Sequence, residues 1–263
     1  GQTSVPKPNN QAPKPNKPKK NSQNKPVQTN TLPPKPNTTP EIPAPKPVPT
    51  PPVETPQAGK QKKSGFTMVS VAGGNFKTEA KGCSGSVLQM QDFKIGMYEV
   101  TQADWREIMG TSPSFHSNCS ECPVERVSWD EIQRFLAIAS QKRGKKYRLP
   151  YEMEWEYAAS GGQKTLGKKY AGGSKADGVA VYLNVQESSR EVGTKRANEL
   201  GIFDMSGNVW EWCDSPYPAY LRCAASPSDK KTMRGGSWSS RRDNVTIKAR
   251  QQKKSRYSDS NIG

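Results

Sequence analysis

The chain has 263 residues and a formal net charge of +16 at pH 7, from 40 Lys and Arg against 24 Asp and Glu. This length allows one or two domains, and no apolar run approaches the roughly eighteen residues that a membrane-spanning helix requires. Because His116 is the only histidine, the sequence excludes metal sites that need several histidines and gives a serine hydrolase no credible base.

The first 63 residues are typical of a disordered spacer. Seventeen of the 23 prolines precede residue 57, eleven lysines accompany only two glutamates, and no aromatic residue occurs before Phe66. Such a segment buries too little apolar surface to offset its chain entropy, and its Lys-Pro tracts favour an extended polyproline II conformation. We therefore predict a Lys/Pro-rich spacer over residues 1–63 and a folded domain over residues 64–263. The alternative is a merely disordered tail. Because the chain begins at Gly1, we also expect it to be processed.

The first elements of the folded part are predicted from apolar runs and helix caps. Phe66–Val71 and Phe93–Val100 each predict a strand. Thr101 is a good N-cap for a short helix over Gln102–Met109, which Gly110 ends.

Two further helices follow. Ser128 and Glu131 form a capping box that opens an amphipathic helix ending at Gly144. Its predicted core face consists of Ile132, Phe135, Leu136, Ile138 and Ala139. A third helix is expected over Pro150–Ala159, and the Gly- and Lys-rich stretch Gly161–Gly178 is expected to be an exposed loop.

The stretch Gly201–Trp212 places Asp204 and Glu211 on either side of a Ser-Gly-Asn turn. A backbone that folds back here can direct two carboxylates and freed carbonyls at one point, which is how calcium is held by six to eight oxygens. The alternative is a hydrophobic strand after a turn that Asp204 caps, with Glu211 solvated.

The five cysteines do not predict a redox or zinc site. Cys119 and Cys122 lie in a Ser/Asn-rich loop instead of at a helix start, and zinc would need further ligands that the sequence lacks. In an exported protein we expect a Cys119–Cys122 disulfide, with Cys213–Cys223 as a second candidate pair and Cys83 left over.

Four ordered motifs resemble the formylglycine-generating enzyme (sulfatase-modifying factor) family. They are Arg148-Leu-Pro-Tyr-Glu-Met-Glu-Trp-Glu-Tyr-Ala-Ala159, Gly201-Ile-Phe-Asp-Met-Ser-Gly-Asn-Val-Trp-Glu-Trp212, Arg234-Gly-Gly-Ser-Trp238 and Ser260-Asn-Ile-Gly263. The resemblance covers about Phe66 to Gly263 and implies an α+β, C-type-lectin-like fold with short helices, small mixed sheets and much irregular loop. Family domains usually continue past Asn-Ile-Gly into one more strand, so the resemblance also implies a C-terminal strand that this sequence lacks.

The resemblance also implies a structural calcium ion but no copper or iron. The family's calcium ligands map to the side chains of Asp204 and Glu211 and the carbonyls of Gly207 and Val209. Its two catalytic cysteines, which handle copper and oxygen, map to Ser240 and near Val245, so formylglycine synthesis is not expected. An iron-binding branch of the family uses three histidines, which this chain does not have.

The leading hypothesis is therefore a non-catalytic binding module, exported to the periplasm or cell surface and possibly anchored before processing. Its partner would be an anionic, glycan or peptide ligand, or another envelope protein, and nucleic acid is not expected because no recognised binding motif occurs. Alternatives are an envelope enzyme acting without the cysteine pair and a structural lipoprotein subunit of an envelope machine. The candidate ligand surface, rich in arginine around a tryptophan, consists of Trp238, Ser239, Ser240, Arg241, Arg242, Asn244, Arg250 and Tyr257.

Overall fold

The computed structural model describes residues 63–78, 86–183, 187–214 and 229–263. The predicted spacer up to residue 62, together with Cys83 and Cys223, lies outside these ranges. Among the described residues, no helix is long and apolar enough to cross a membrane.

In the described part of the chain, seven short strands form three small antiparallel sheets. Strand β1 (Met68–Val71) pairs with β4 (Phe93–Gly96), and β2 (Gly74–Lys77) pairs with β3 (Val87–Met90). The third sheet has the order β5–β6–β7, formed by Glu211–Cys213, Lys230–Arg234 and Arg250–Lys254. Both predicted strands exist, but each is shorter than expected. The second one ends at Gly96 because the chain then turns toward the first helix.

All three predicted helices form, and two of them begin at the residues that their caps predict. Helix α1 (Gln102–Met109) begins at a Thr101 capping box, and α2 (Trp129–Arg143) begins at one formed by Ser128 and Glu131. Both helices end at a glycine in the left-handed region, where L-residues are strained. Helix α3 (Glu152–Ala159) has no side-chain cap on its N-terminal N–H groups, because tyrosine stands at its N-cap. Two 3-10 turns, Gly162–Lys164 and Arg242–Asn244, complete the regular structure of the described residues.

The core consists of two large clusters and one small one. The first surrounds the fully buried Trp155 of α3, and the second joins α1 and α2 to the third sheet through residues such as Phe135 and Trp212. The small cluster holds Tyr170 and Val245, both at most 2% exposed. The prediction of an exposed loop over Gly161–Gly178 is therefore wrong for Tyr170–Gly173, which are buried. Composition alone did not reveal that a lone tyrosine anchors this segment.

The cysteines are only partly as predicted. Cys119 and Cys122 form a disulfide, as expected. Cys213, by contrast, is a free thiol with no exposed surface, so the predicted Cys213–Cys223 disulfide is wrong. Cys213 lies on β5 inside the first core cluster, and burial there raises the pKa of its thiol well above the usual value. A buried, protonated thiol of this kind acts as a small apolar side chain.

Candidate metal centre

The turn before β5 has a backbone that few sequences can adopt. Asp204, Gly207 and Asn208 all have positive φ, at 60°, 84° and 62°. Glycine, asparagine and aspartate are the residues that tolerate this region, which explains their presence here. Consecutive left-handed residues reorient the peptide planes and free carbonyls from regular pairing. No hydrogen bond to the carbonyl oxygen of Gly207 or Val209 is found within the described part of the chain.

Both predicted carboxylates of this turn point into the protein. Asp204 is 4% exposed; its Oδ2 accepts from the Gly193 N–H at 2.6 Å, whereas its buried Oδ1 has no partner among the described residues. The Oε2 of Glu211 accepts from the Trp155 indole N–H at 3.0 Å. The alternative in which Glu211 is solvated is therefore not what the structure shows. A buried carboxylate oxygen without a partner costs free energy unless a cation or water meets it.

A third acid, Glu99, belongs to this cluster and was missed at the sequence level. Its Oε1 accepts from the Val209 N–H at 3.1 Å, and its Oε2 accepts from the Asn208 side-chain amide at 2.6 Å. The sequence did contain one indication that Glu99 is buried, which is its position along the predicted strand. Glu99 has the same strand parity as the buried Ile95, so it lies on the core side of the predicted strand.

Burial raises the pKa values of all three acids, and the charge of Asp204 raises those of Glu99 and Glu211 further. The pKa of Glu99 is raised well above its usual value by burial, by the charge of Asp204 and by that of Glu211. Burial raises the pKa of Asp204 to about 6, although the Gly193 N–H and the charge of Lys63 oppose this. Burial and then the charge of Asp204 raise the pKa of Glu211 to about 8, against the effect of the Trp155 hydrogen bond. In the absence of a cation, the surroundings of this cluster thus disfavour the ionised form of its carboxyl groups.

These residues fit a cation held by mixed ligands. Within the described residues, no three His, Cys, Asp or Glu side chains are close enough to hold a metal by themselves. A metal here would therefore depend on the free carbonyls of Gly207 and Val209 as well as on Asp204 and Glu211. Such an all-oxygen set suits calcium and not the softer transition metals. Glu99 and Glu211 also line a partly open cavity of about 700 Å³, so space adjoins the cluster.

The raised pKa of Glu211 predicts a pH dependence of the metal-free protein. Its pKa rises from 4.5 to about 8 on folding, so between these values the folded chain holds a proton that the unfolded chain has lost. The free energy of unfolding should then fall as pH rises from about 5 to 8, by on the order of 3 kcal/mol. Urea unfolding in chelator at several pH values measures this slope. Glu211→Gln should reduce this slope, with the remainder due to Asp204 and Glu99, and an unchanged slope in the variant would contradict the assignment.

The predicted ligand surface is only partly assembled. Trp238 is half-buried, with its indole N–H donating to the Ser260 carbonyl at 3.2 Å and its ring 6.1 Å from that of His116. The His116 ring in turn meets Phe115, which is 65% exposed. Arg241 and Asn244 are exposed, and Arg241 meets no acid within the described ranges. This aromatic patch was not predicted, because Phe115 and His116 lie far from Trp238 in sequence.

Two residues assigned to that surface have structural contacts instead. Arg250 on β7 donates to both carboxylate oxygens of Glu152, at 2.6 and 3.1 Å, and to the Thr232 hydroxyl. The ring of Tyr257 packs against the second core cluster, and its hydroxyl donates to Asp259 at 3.0 Å. We therefore leave both residues out of the binding surface that we propose below.

The residues at or next to the positions to which the resemblance maps the catalytic cysteines, Ser240 and Val245, have no redox chemistry. The Oγ of Ser240 accepts from the Ser237 N–H at 3.0 Å, and the Ser239 Oγ accepts from the Asn261 side-chain amide at 2.8 Å. Val245 has no exposed surface and belongs to the small core cluster. Within the described residues the only free thiol is the buried Cys213. This loop therefore consists of a short serine network and an apolar anchor.

Comparison with known protein families identifies the family of this chain. The profile of the sulfatase-modifying factor enzyme 1-like domain matches residues 54–263. The chain therefore belongs to this family, and the α+β fold expected from the four motifs is confirmed.

The relatives include both active and inactive proteins by name. The chaperone protein LppX of Paenibacillus barcinonensis is 34% identical, over 65% of this chain and 78% of that protein. The inactive C-alpha-formylglycine-generating enzyme 2 of Bos taurus is 34% identical over 53% of this chain and 46% of its own length. The formylglycine-generating enzyme of Streptomyces coelicolor is 31% identical, over 53% and 49%. The chain spans about half the length of these last two relatives.

Solved structures share the fold. The Treponema denticola variable protein 1 superposes with a TM-score of 0.66 at 24% identity, covering 74% of this chain and 92% of that one. PvdO from Pseudomonas aeruginosa has a TM-score of 0.59 at 20% identity, covering 77% and 97%. Identities this low establish a common fold and nothing about activity.

Proposed function

We propose that this chain is a non-catalytic binding module of the bacterial envelope or cell surface, built on the formylglycine-generating-enzyme fold. The observation that carries this proposal is the loop after Gly236, which contains no cysteine and in which the family resemblance maps the two catalytic cysteines to Ser240 and near Val245. A serine cannot bind Cu(I) as a thiolate does, and a buried valine offers no ligand at all. Both residues are also held by local contacts, so neither is poised for chemistry.

The ligand that this surface fits is anionic, with sugar or peptide character. From residue 230 to the last residue there are ten Lys or Arg against two Asp, and Arg241 and Arg242 are both exposed. Guanidinium groups pair with carboxylates in bidentate geometry, and the aromatic patch of Phe115, His116 and Trp238 offers stacking surface. The combination supports recognition of a charged group next to an apolar or sugar ring.

Calcium has a structural role in this proposal. The ion would be held by the Asp204 and Glu211 side chains and by the Gly207 and Val209 carbonyls, and it would offset the charge that Glu99, Asp204 and Glu211 concentrate in the interior. Asp204 stands where the family has asparagine, and the additional charge favours a divalent cation.

Two relatives support a role in binding. One relative is named a chaperone protein and another an inactive enzyme of the family. The Lys/Pro-rich segment before the domain suits a spacer that extends the domain from a surface, and the Cys119–Cys122 disulfide suits an oxidising compartment. Both features favour an exported protein.

The absence of catalysis is tested directly with a cysteine-containing peptide. The chain is incubated with copper, oxygen and such a peptide, and aldehyde formation is followed by mass spectrometry, with the Streptomyces coelicolor enzyme as positive control. We expect no aldehyde above the protein-free background. Turnover by this chain would overturn the non-catalytic assignment.

The binding role is tested on an array of uronate-containing, sialylated and neutral glycans together with acidic and neutral peptides. Retention of acidic probes should fall at least tenfold in the variant Arg241→Gln/Arg242→Gln. Equal retention of neutral and acidic probes would contradict an anionic ligand.

A further inference from the structure

A shallow groove of about 650 Å³ lies beside the loop that carries Ser240. One wall is the segment 177–183 and the other is the segment 190–195, here called the strap. The Leu183 N–H donates to the Ser240 carbonyl at 3.1 Å, which joins the first wall to the serine loop. None of the sequence motifs pointed to this groove, because its two walls are irregular and polar.

Both walls are fixed to one buried residue, Asn208. Its backbone N–H donates to the Val181 carbonyl at 2.9 Å on the first wall. Its side-chain Oδ1 accepts from the Arg190 N–H at 2.9 Å, and its side-chain NH₂ donates to the Arg190 carbonyl at 3.2 Å, on the strap. Asn208 has no exposed surface, so these bonds are shielded from water. The hydrogen bonds of Asn208 therefore hold both walls in place, and the groove is preformed.

The strap has a second attachment to the same turn. The Gly193 N–H donates to Asp204, and the side-chain NH₂ of Asn208 also donates to Glu99. Both acids belong to the buried cluster at which we propose calcium. A cation there would fix Asp204 and the backbone around Asn208, and with them the strap.

The charged groups at the groove favour an anion. Arg190 and Lys195 line it, and the Arg242 guanidinium lies 5.7 Å from the centre of the Tyr182 ring, with its Nε–H donating to the Tyr182 hydroxyl at 3.2 Å. Asp177 is the one acid among the lining residues, 3.8 Å from Arg242. The lining residues therefore carry two basic groups against one acid, and the Arg242 guanidinium adjoins them at Tyr182, which leaves a net positive charge. Arg242 remains 62% exposed, so its guanidinium stays accessible although its position is fixed.

We propose that this groove binds the carboxylate of a small acidic ligand, and that calcium at the Asp204–Glu211 turn strengthens the binding by fixing the groove walls. A carboxylate matches the planar guanidinium of Arg242, and its single charge suits a site that already contains Asp177 better than a phosphate dianion would. The exposed side chain of Leu183 provides an apolar surface for the rest of the ligand. The second half of this inference depends on the calcium site of the proposed function.

The test is a titration of the full chain with glucuronate, followed by NMR or calorimetry in the presence of calcium. Glucose is the matched neutral probe, and inorganic phosphate is the competing anion. We expect saturable glucuronate binding, no glucose binding and weaker phosphate binding. Arg242→Gln and Lys195→Gln should each weaken glucuronate binding at least tenfold. Lys94→Gln removes an exposed charge on β4 and should have no effect, which controls for net charge.

The outcomes separate the groove from the metal site. Three results would each overturn the carboxylate site, whatever calcium does. They are no binding of glucuronate, an equal loss of glucuronate affinity in the Lys94→Gln control, and tighter binding of phosphate than of glucuronate. Chelation should weaken glucuronate binding several-fold, and Asp204→Ala/Glu211→Ala should remove that difference. If calcium binds and glucuronate affinity is the same with and without it, the coupling is overturned while the calcium site stands. If glucuronate binds but calcium does not, the groove stands and both the coupling and the calcium site fail.

Discussion

Replacing Arg234 with methionine should destabilise the domain by about 3–5 kcal/mol, the cost of leaving buried acids without their partner. Arg234 is 2% exposed on β6; it donates to Glu156 at 2.5 Å and to the Ile247 carbonyl at 3.0 Å. The Nη1 of Arg234 also lies 3.5 Å from the Oε1 of Glu152, and the same carboxylate oxygen pairs with Arg250. Burial already raises the pKa of Glu156 despite the opposing charge of Arg234, so removing the arginine leaves that acid buried and unpaired.

Chemical denaturation of the variant and of Lys169→Met checks this expectation. The Lys169–Asp243 pair is 52% and 83% exposed, so its loss should change the free energy of unfolding little. Adding Glu156→Gln to Arg234→Met should recover part of the stability. A loss for Arg234→Met as small as that of Lys169→Met would show that this buried network does not hold α3 against the third sheet.

Gly207→Ala should be nearly as damaging, because it combines a strained backbone with a direct overlap. A Cβ at this position would lie 2.1 Å from the carbonyl oxygen of Val181, and the φ of Gly207 is 84°. The positive φ alone costs about 1–2 kcal/mol for an L-residue, and the overlap forces the first groove wall away from the turn. We expect a total loss of more than about 3 kcal/mol.

The matched control is Gly201→Ala at the start of the same stretch. Gly201 has a φ of 80°, but a Cβ there meets nothing within 4 Å, so only the backbone cost applies. Thermal unfolding of both variants separates strain from overlap. If both variants lose the same stability, the close approach of the turn to Val181 is not important for folding.

The sequence predicts α1 and α2 to the residue because their ends are chemical signals, whereas α3 begins two residues later than predicted. Thr101, Ser128, Gly110 and Gly144 each satisfy or terminate a turn of backbone, and the structure begins and ends α1 and α2 at these positions. The four motifs likewise identify the fold, because their order along the chain is specific. These features depend on residues that are close in sequence.

The site was harder to predict because its parts are distant in sequence. Glu99 reaches the turn across 109 residues to contact Asn208, and Arg250 contacts Glu152 across 98. Strand parity indicates that Glu99 faces the core, but no local pattern shows that it meets Asn208 there or that an arginine near a tryptophan will pair elsewhere. Cys213 shows the same limit, because proximity in sequence to Cys223 suggested a pair that the β5 core does not form.

Calorimetric titration of Ca²⁺ into the chelator-treated chain tests the central claim most directly, because the turn, the acid cluster and the groove walls all meet at Asp204–Glu211. We predict saturable binding of one ion per chain. This binding should be lost in Asp204→Ala/Glu211→Ala and retained in Asp243→Ala. Absence of calcium binding in the intact chain, or equal binding in the double variant, would contradict it. Asp204 and Glu211 would then be buried acids of a turn and a core strand.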